Sequence, residues 1–248
     1  MFDYRHFGAS AAQPRQLLDI RMQQDDYRAA VGYARALDWV DSERVALFGT
    51  SFSGGHVLAV AARDQRIAAL VSQCPFTNGL ASLPKMGAAN IAKATVAGLR
   101  DQLAELVGRP ARYIPAVGPP GSFAVMTTPD SQPGFEALRP PDSRWENRVA
   151  ARIALRVASY RPGRFAAQVA CPALFCVCDG DAVAPAKATM KHARAAPRGE
   201  IKRYAVGHFD IYVGEPWERA VADQTEFLSR CLAGSRESAE IDNAAARP

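Results

Sequence analysis

A serine, a histidine and an aspartate, the residue types that together perform acyl transfer, each occur in this chain in a setting that exposes reactive groups. Ser51 lies in Phe48-Gly49-Thr50-Ser51-Phe52-Ser53-Gly54-Gly55, where a short apolar run meets a Gly-rich turn and then a helical pattern. Such a strand-turn-helix apex lifts a hydroxyl clear of the strand. It also aims the helix N-terminus, with the Phe52 amide, at an incoming carbonyl oxygen. The small residues around Ser51 suit a close approach of helix and strand, and Ser53 stands where a third glycine of G-x-S-x-G would be.

A serine hydroxyl needs a base to take its proton and an acid to orient that base. His208, in Gly207-His208-Phe209-Asp210, is the candidate base, and Asp181, in Asp179-Gly180-Asp181-Ala182-Val183-Ala184-Pro185, the candidate acid. Asp179 is the rival. Asp181 is preferred because it sits on the loop leaving a strand, shortly before a helix-opening proline. His6, His56 and His192 are read as structural or solvated.

The elements that must position these groups follow from hydrophobic periodicity. Residues 17–37 carry Tyr27, Val31, Ala34 and Leu37 on one helical face, and residues 44–48 read as a buried strand. A helix over 53–63 and a strand over 67–72 complete a strand-helix-strand rhythm, which means a parallel sheet with right-handed crossovers. From residue 77 to 167 the rhythm breaks: a helix over 91–107, a Pro/Gly-rich middle, then an expected helix over 145–160. Sheet grammar resumes with a strand over 173–178, a helix over 185–195, a strand over 200–206 and a helix over 217–232. The expected domain is 1–233 with 77–167 inserted, followed by an aperiodic, mobile tail over 234–248. Ser51, Asp181 and His208 all fall at carboxyl ends of strands, where open parallel sheets gather their active sites.

Composition narrows the field. The 248 residues are 48% hydrophobic and 22% charged, the make-up of a chain that buries a core. The formal charge is +5, but 30 basic and 25 acidic residues are interleaved without a basic run, so nucleic-acid binding is not expected. Five cysteines leave no complete disulfide framework and suit a reducing, cytoplasmic location. Cys171, Cys176 and Cys178 are read as buried strand residues rather than metal ligands, with Cys176 and Cys178 expected on opposite faces of their strand. No apolar run approaches a membrane span, and no metal or cofactor is expected.

With Ser51, Asp181 and His208 in that chain order, the sequence resembles an α/β-hydrolase fold serine hydrolase, of the bacterial group related to dienelactone hydrolases, serine aminopeptidases and X-Pro dipeptidyl-peptidase-like esterases. The residues 3–10 (Asp-Tyr-Arg-His-Phe-Gly-Ala-Ser) match the loop leaving the family's fourth strand, 49–55 the turn bearing the nucleophile, 181–185 the acid loop and 207–209 the base loop. The resemblance implies Ser51 as nucleophile, His208 as base, Asp181 as orienter and the Phe52 amide as one oxyanion donor. It implies that 77–167 is a cap, whose Phe123, Met126, Phe135 and Trp145 are candidates for an acyl pocket. It also places three strands, a helix and the second oxyanion donor before residue 1.

Two expectations follow. The first is a hydrolase of carboxylic esters, or of related thioester, lactone or amide bonds, acting on a small-molecule acyl substrate through an acyl-enzyme. The second is a shortened, catalytically impaired relative that serves as an interaction module.

Overall fold

A computed structural model describes residues 1–83, 87–143 and 145–245, with side chains as far as residue 233. The predicted parallel sheet is present, with strands β1 (Ala46–Thr50), β2 (Ala69–Gln73), β5 (Ala173–Cys178) and β6 (Gly199–Tyr204) in that spatial order. All three pairings are parallel, with Gly49 beside Ser72, Ser72 beside Phe175 and Cys178 beside Tyr204.

One face of the sheet is covered by α1 (Ile20–Arg35), α2 (Phe52–Ala61) and α6 (Ala186–Ala193). There Tyr27, Val31, Val57 and Leu58 pack on Leu70, Phe175 and Val177. The other face is covered by α7 (Gly214–Ala245), whose Ala220 and Phe227 meet Val71, Leu174, Cys176 and Cys178. The side-chain alternation of β5 corrects the expectation for its cysteines. Residues two apart on a strand share a face, so Cys176 and Cys178 lie together on the α7 side while Phe175 and Val177 point away. α7 also runs through 234–245, where an aperiodic tail was expected; residues 246–248 and the side chains beyond 233 lie outside the described residues.

Between β2 and β5 the chain leaves the sheet. It forms α3 (Gly79–Ser82), α4 (Ala88–Leu106), the two-residue strands β3 (Tyr113–Ile114) and β4 (Val149–Ala150), and α5 (Ser131–Ala137) between them. The helix expected over 145–160 is absent. Those residues make β4 and a 3-10 turn, Ala151–Leu155, because Arg152 turns inward to a buried carboxylate, Asp101 of α4, at 2.8 Å. Asp101 also accepts the Arg112 and Arg152 amides, so a single buried carboxylate ties three parts of this segment. Phe123 packs with Ile114, Val149 and Ile153 in a separate apolar cluster.

β1 pairs with β2 alone and forms an edge of the sheet among the described residues, with Phe48 48% exposed. Residues 2–4 form no strand. Phe2 and Tyr4 instead set their rings edge-on to Tyr27 of α1, at 5.3 and 5.9 Å between centroids.

Candidate active site

The turn at Ser51 is built from close approach and backbone strain. Ser51 has φ +52° and ψ −118°, a conformation disfavoured for any residue with a side chain. Its amide donates to Gln73 O at 2.9 Å and its carbonyl accepts the Phe76 amide at 2.8 Å, so the end of β2 holds the strained turn. A Cβ on Gly49 would overlap Ser53 O, and one on Gly54 would lie 2.9 Å from Pro75, which explains the small residues on both sides. Ser53 has its own function here. Its hydroxyl accepts the Thr50 amide at 2.9 Å and donates to Thr50 O at 2.8 Å, closing the turn with a side chain. Thr50 is tied further: its hydroxyl lies 2.5 Å from the Tyr212 hydroxyl and accepts from Gln73 Nε2, itself part of a bond chain reaching Gln224 of α7.

The three candidates converge. Ser51 Oγ lies 2.9 Å from His208 Nε2, and His208 Nδ1 lies 2.6 Å from Asp181 Oδ2. Asp181 Oδ1 accepts the amides of Val183 and Ala184, which fixes the carboxylate toward the ring. Asp179 is elsewhere, accepting from Arg203 Nε at 2.8 Å on the surface. With Nδ1–H donated to Asp181, Nε2 is free to accept the Ser51 proton, the arrangement required of a general base beside a nucleophile. Burial pushes the His208 ring down, but Cys74, the bond and charge of Asp181, and Asp130 outweigh it and raise the pKa to about 9. The Phe52 amide opens α2, in the first turn, where no intrahelical carbonyl is available to accept its hydrogen.

Sequence reasoning missed Cys74. It follows β2 with φ +32°, and its sulfur lies 3.2 Å from the Tyr212 hydroxyl. It also stands within 4.8 Å of the ligand atoms of Asp181 and His208. Its place at the carboxyl end of a strand was the available signal. The three groups have the donor types of a metal set, but His208 Nδ1 and Asp181 Oδ2 already share a proton, for which a metal would compete.

A cavity of about 500 Å³ opens on Ser51, mostly apolar in its lining. Phe2, Tyr4 and Phe7 from the start of the chain and Met126, Phe135 and Trp145 from the inserted segment all line it. Phe135 and Trp145 pack at 4.7 Å between ring centroids. Phe123, expected with them, is not in the wall and belongs to the separate cluster of Ile114 and Val149. Of the remaining histidines, His6 bonds Pro14 O through Nδ1, and His192 packs on Gly163. His56 is fully buried one turn beyond Phe52, between Tyr160 and Gln23.

A family model described as alpha/beta hydrolase fold matches residues 1–214. The quorum-quenching protein AidA of Acinetobacter baumannii is 50% identical over 232 residues, covering 94% of this chain and 76% of its own length. A thiohydrolase of Eupenicillium brefeldianum is 24% identical over 245 residues, 92% of this chain and 75% of its own. The crystal structure of the α/β hydrolase GrgF from a Penicillium species superposes with a TM-score of 0.76 at 24% identity, covering 93% of this chain and 78% of that one. Among the described residues no helix is long and apolar enough to cross a membrane.

Proposed function

Because the chain belongs to the alpha/beta hydrolase fold family and is an enzyme, we propose that it hydrolyses small carboxylic esters, or closely related acyl bonds, through an acyl-enzyme on Ser51. The observation that carries this reading is the unbroken chain Ser51 Oγ, His208 Nε2, His208 Nδ1, Asp181 Oδ2, at 2.9 and 2.6 Å, on the wall of an apolar cavity.

His208 takes the Ser51 proton as Oγ attacks the carbonyl carbon, and Asp181 holds the ring in the productive tautomer and stabilises the imidazolium. The negative charge that develops on the carbonyl oxygen is met by the Phe52 amide and the N-terminus of α2. His208 returns the proton to the leaving group as the tetrahedral intermediate collapses. Water, activated by the same imidazole, then releases the acid and restores Ser51. No step calls on a cofactor or metal.

Residues 77–167 act as a cap in this reading, with Met126, Phe135 and Trp145 enclosing the acyl chain against Phe2, Tyr4 and Phe7. The cavity volume is in the range of small-molecule sites, and its lining favours an apolar acyl group over a charged one. The name of one relative, a thiohydrolase, supports thioesters among these acyl bonds. The assembled triad supports this enzymatic reading over that of an interaction module. The test is release of p-nitrophenol from esters of butyrate to dodecanoate. Turnover favouring chains longer than butyrate, and a loss of about 10⁴-fold or more in Ser51→Ala, are expected; turnover equal in the variant would overturn the reading.

A further inference from the structure

Two glutamines of α1 are buried where a surface helix would present polar residues to water, and together with His56 they form one continuous polar chain. Arg63, exposed at the end of α2, donates to Gln24 Oε1 at 3.1 Å. That bond fixes the Gln24 carboxamide, so its Nε2 is the group that meets the Tyr160 hydroxyl at 3.2 Å. The Tyr160 hydroxyl lies 2.6 Å from His56 Nδ1, and His56 Nε2 lies 2.9 Å from Gln23 Oε1.

The direction of the remaining bonds follows from counting protons. Burial lowers the His56 pKa to about 3, so the ring is neutral and carries one N–H. If that proton were on Nδ1, the Tyr160 oxygen would receive two donors, and its own hydrogen would be buried without an acceptor. With the proton on Nε2 every member is satisfied: Tyr160 donates to Nδ1, and Nε2 donates to Gln23 Oε1. The Gln23 Nε2 group is what remains. Gln23 is 5% exposed and lines the cavity in front of Ser51, and no acceptor in the protein meets its Nε2 among the described residues. That donor is open to a mostly apolar cavity rather than sealed from it, so a ligand oxygen placed there gains a hydrogen bond that no protein group competes for.

We propose that Gln23 is a specificity-determining residue, whose Nε2 donates a hydrogen bond to a carbonyl oxygen carried by the acyl chain away from the scissile bond. The preferred substrates are therefore oxo- or amide-bearing acyl compounds, with plain alkanoyl ones accepted but bound more weakly. This rests on the hydrolase reading above and adds the feature that selects the substrate. Gln23 meets His56, four residues and about 6 Å along α2 from Phe52, and the two donors are assigned to different carbonyl oxygens, the Phe52 amide to that of the scissile bond.

The test separates recognition from turnover. In a Ser51→Ala background, calorimetry compares the binding of methyl octanoate with that of methyl 4-, 5- and 6-oxo-octanoate. One oxo position should bind about tenfold more tightly than methyl octanoate. That ratio should fall close to one when either Gln23→Glu or Gln23→Met is added. Gln23→Glu keeps an oxygen for the His56 N–H, so the polar chain stays closed while the donor to the cavity is lost. Equal binding of all four esters, or an oxo preference that survives both Gln23 variants, would overturn the proposal. Hydrolysis of p-nitrophenyl octanoate by the unaltered protein is measured beside it. If that fails while the oxo preference holds, the hydrolase reading falls and the role of Gln23 in binding stands.

Discussion

Gly134 of α5 lies directly against Phe209, the residue that follows His208: a Cβ on Gly134 would sit 2.5 Å from Phe209 Cβ. Phe209 also packs edge-on to His208 at 5.1 Å and to Phe135 at 6.2 Å between centroids, so the segment over the cavity and the loop carrying the candidate base share one contact.

Helix propensity alone makes Gly134→Ala stabilising by about 1 kcal/mol. The contact with Phe209 predicts the reverse. The base of the Phe209 side chain cannot swing away as a flexible tip could, so the His208 loop must shift. We expect a lower melting temperature and at least a tenfold lower kcat for p-nitrophenyl octanoate. A variant of higher stability and unchanged kcat would show that α5 and the base loop are independent.

The two neighbouring aspartates have separable roles. Asp181→Asn should reduce kcat by about 10⁴-fold, because an amide cannot hold the Nδ1–H tautomer of His208. Asp179→Asn removes only an exposed ion pair with Arg203, worth under about 1 kcal/mol, and should leave kcat within a few-fold. The opposite ranking in steady-state kinetics would transfer the orienting role to Asp179.

The pH dependence carries a definite sign. The base must be neutral, and burial, which lowers the His208 pKa, is outweighed by Cys74, Asp181 and Asp130, which raise it to about 9. kcat/KM should therefore climb through the alkaline range rather than near pH 6.5. Asp130→Asn removes a negative neighbour and should move that limb to lower pH, raising activity at pH 7. Stability responds oppositely for the two buried imidazoles. The raised pKa of His208 gives stability that is complete below about pH 6.5 and lost as pH rises to about 9. The lowered pKa of His56 gives stability that is present above about pH 6.5 and lost as pH falls toward 3. A kcat/KM midpoint near 6.5 that Asp130→Asn does not move would contradict this assignment.

The buried pair of Asp101 and Arg152 predicts a large loss of stability on breaking it. Asp101→Ala would leave the Arg152 guanidinium buried with only the half-exposed Glu105 nearby, and would free two backbone amides. Removing one partner of such a pair costs about 3–5 kcal/mol. Urea unfolding should show it as a lowered midpoint, and a loss below 1 kcal/mol would mean that this segment is held by its apolar cluster instead.

The sheet and the three convergent residues were legible because their signals are local. Strands 46–50 and 173–178 are short apolar runs, and the glycines around Ser51 report the close approach of α2 in the sequence itself. The segment over the cavity was not. Residues 145–160 look helical in composition, yet Arg152 bonds a carboxylate 51 positions away and Tyr160 meets His56 across 104 positions. Gln23 and Gln24 were invisible for the same reason: a polar residue on a helix reads as surface unless its distant partners are known. Cys176 and Cys178 are a different case, since strand period alone puts residues two apart on one face, and the sequence reading misapplied it.

If Ser51 is the nucleophile, made reactive by His208, a fluorophosphonate must modify it in the folded protein, which intact mass followed by peptide mapping reads. A single adduct on Ser51, formed more slowly in Asp181→Asn and absent in Ser51→Ala, is the predicted result. An adduct of equal yield in Ser51→Ala, or one mapped to another residue, would contradict it.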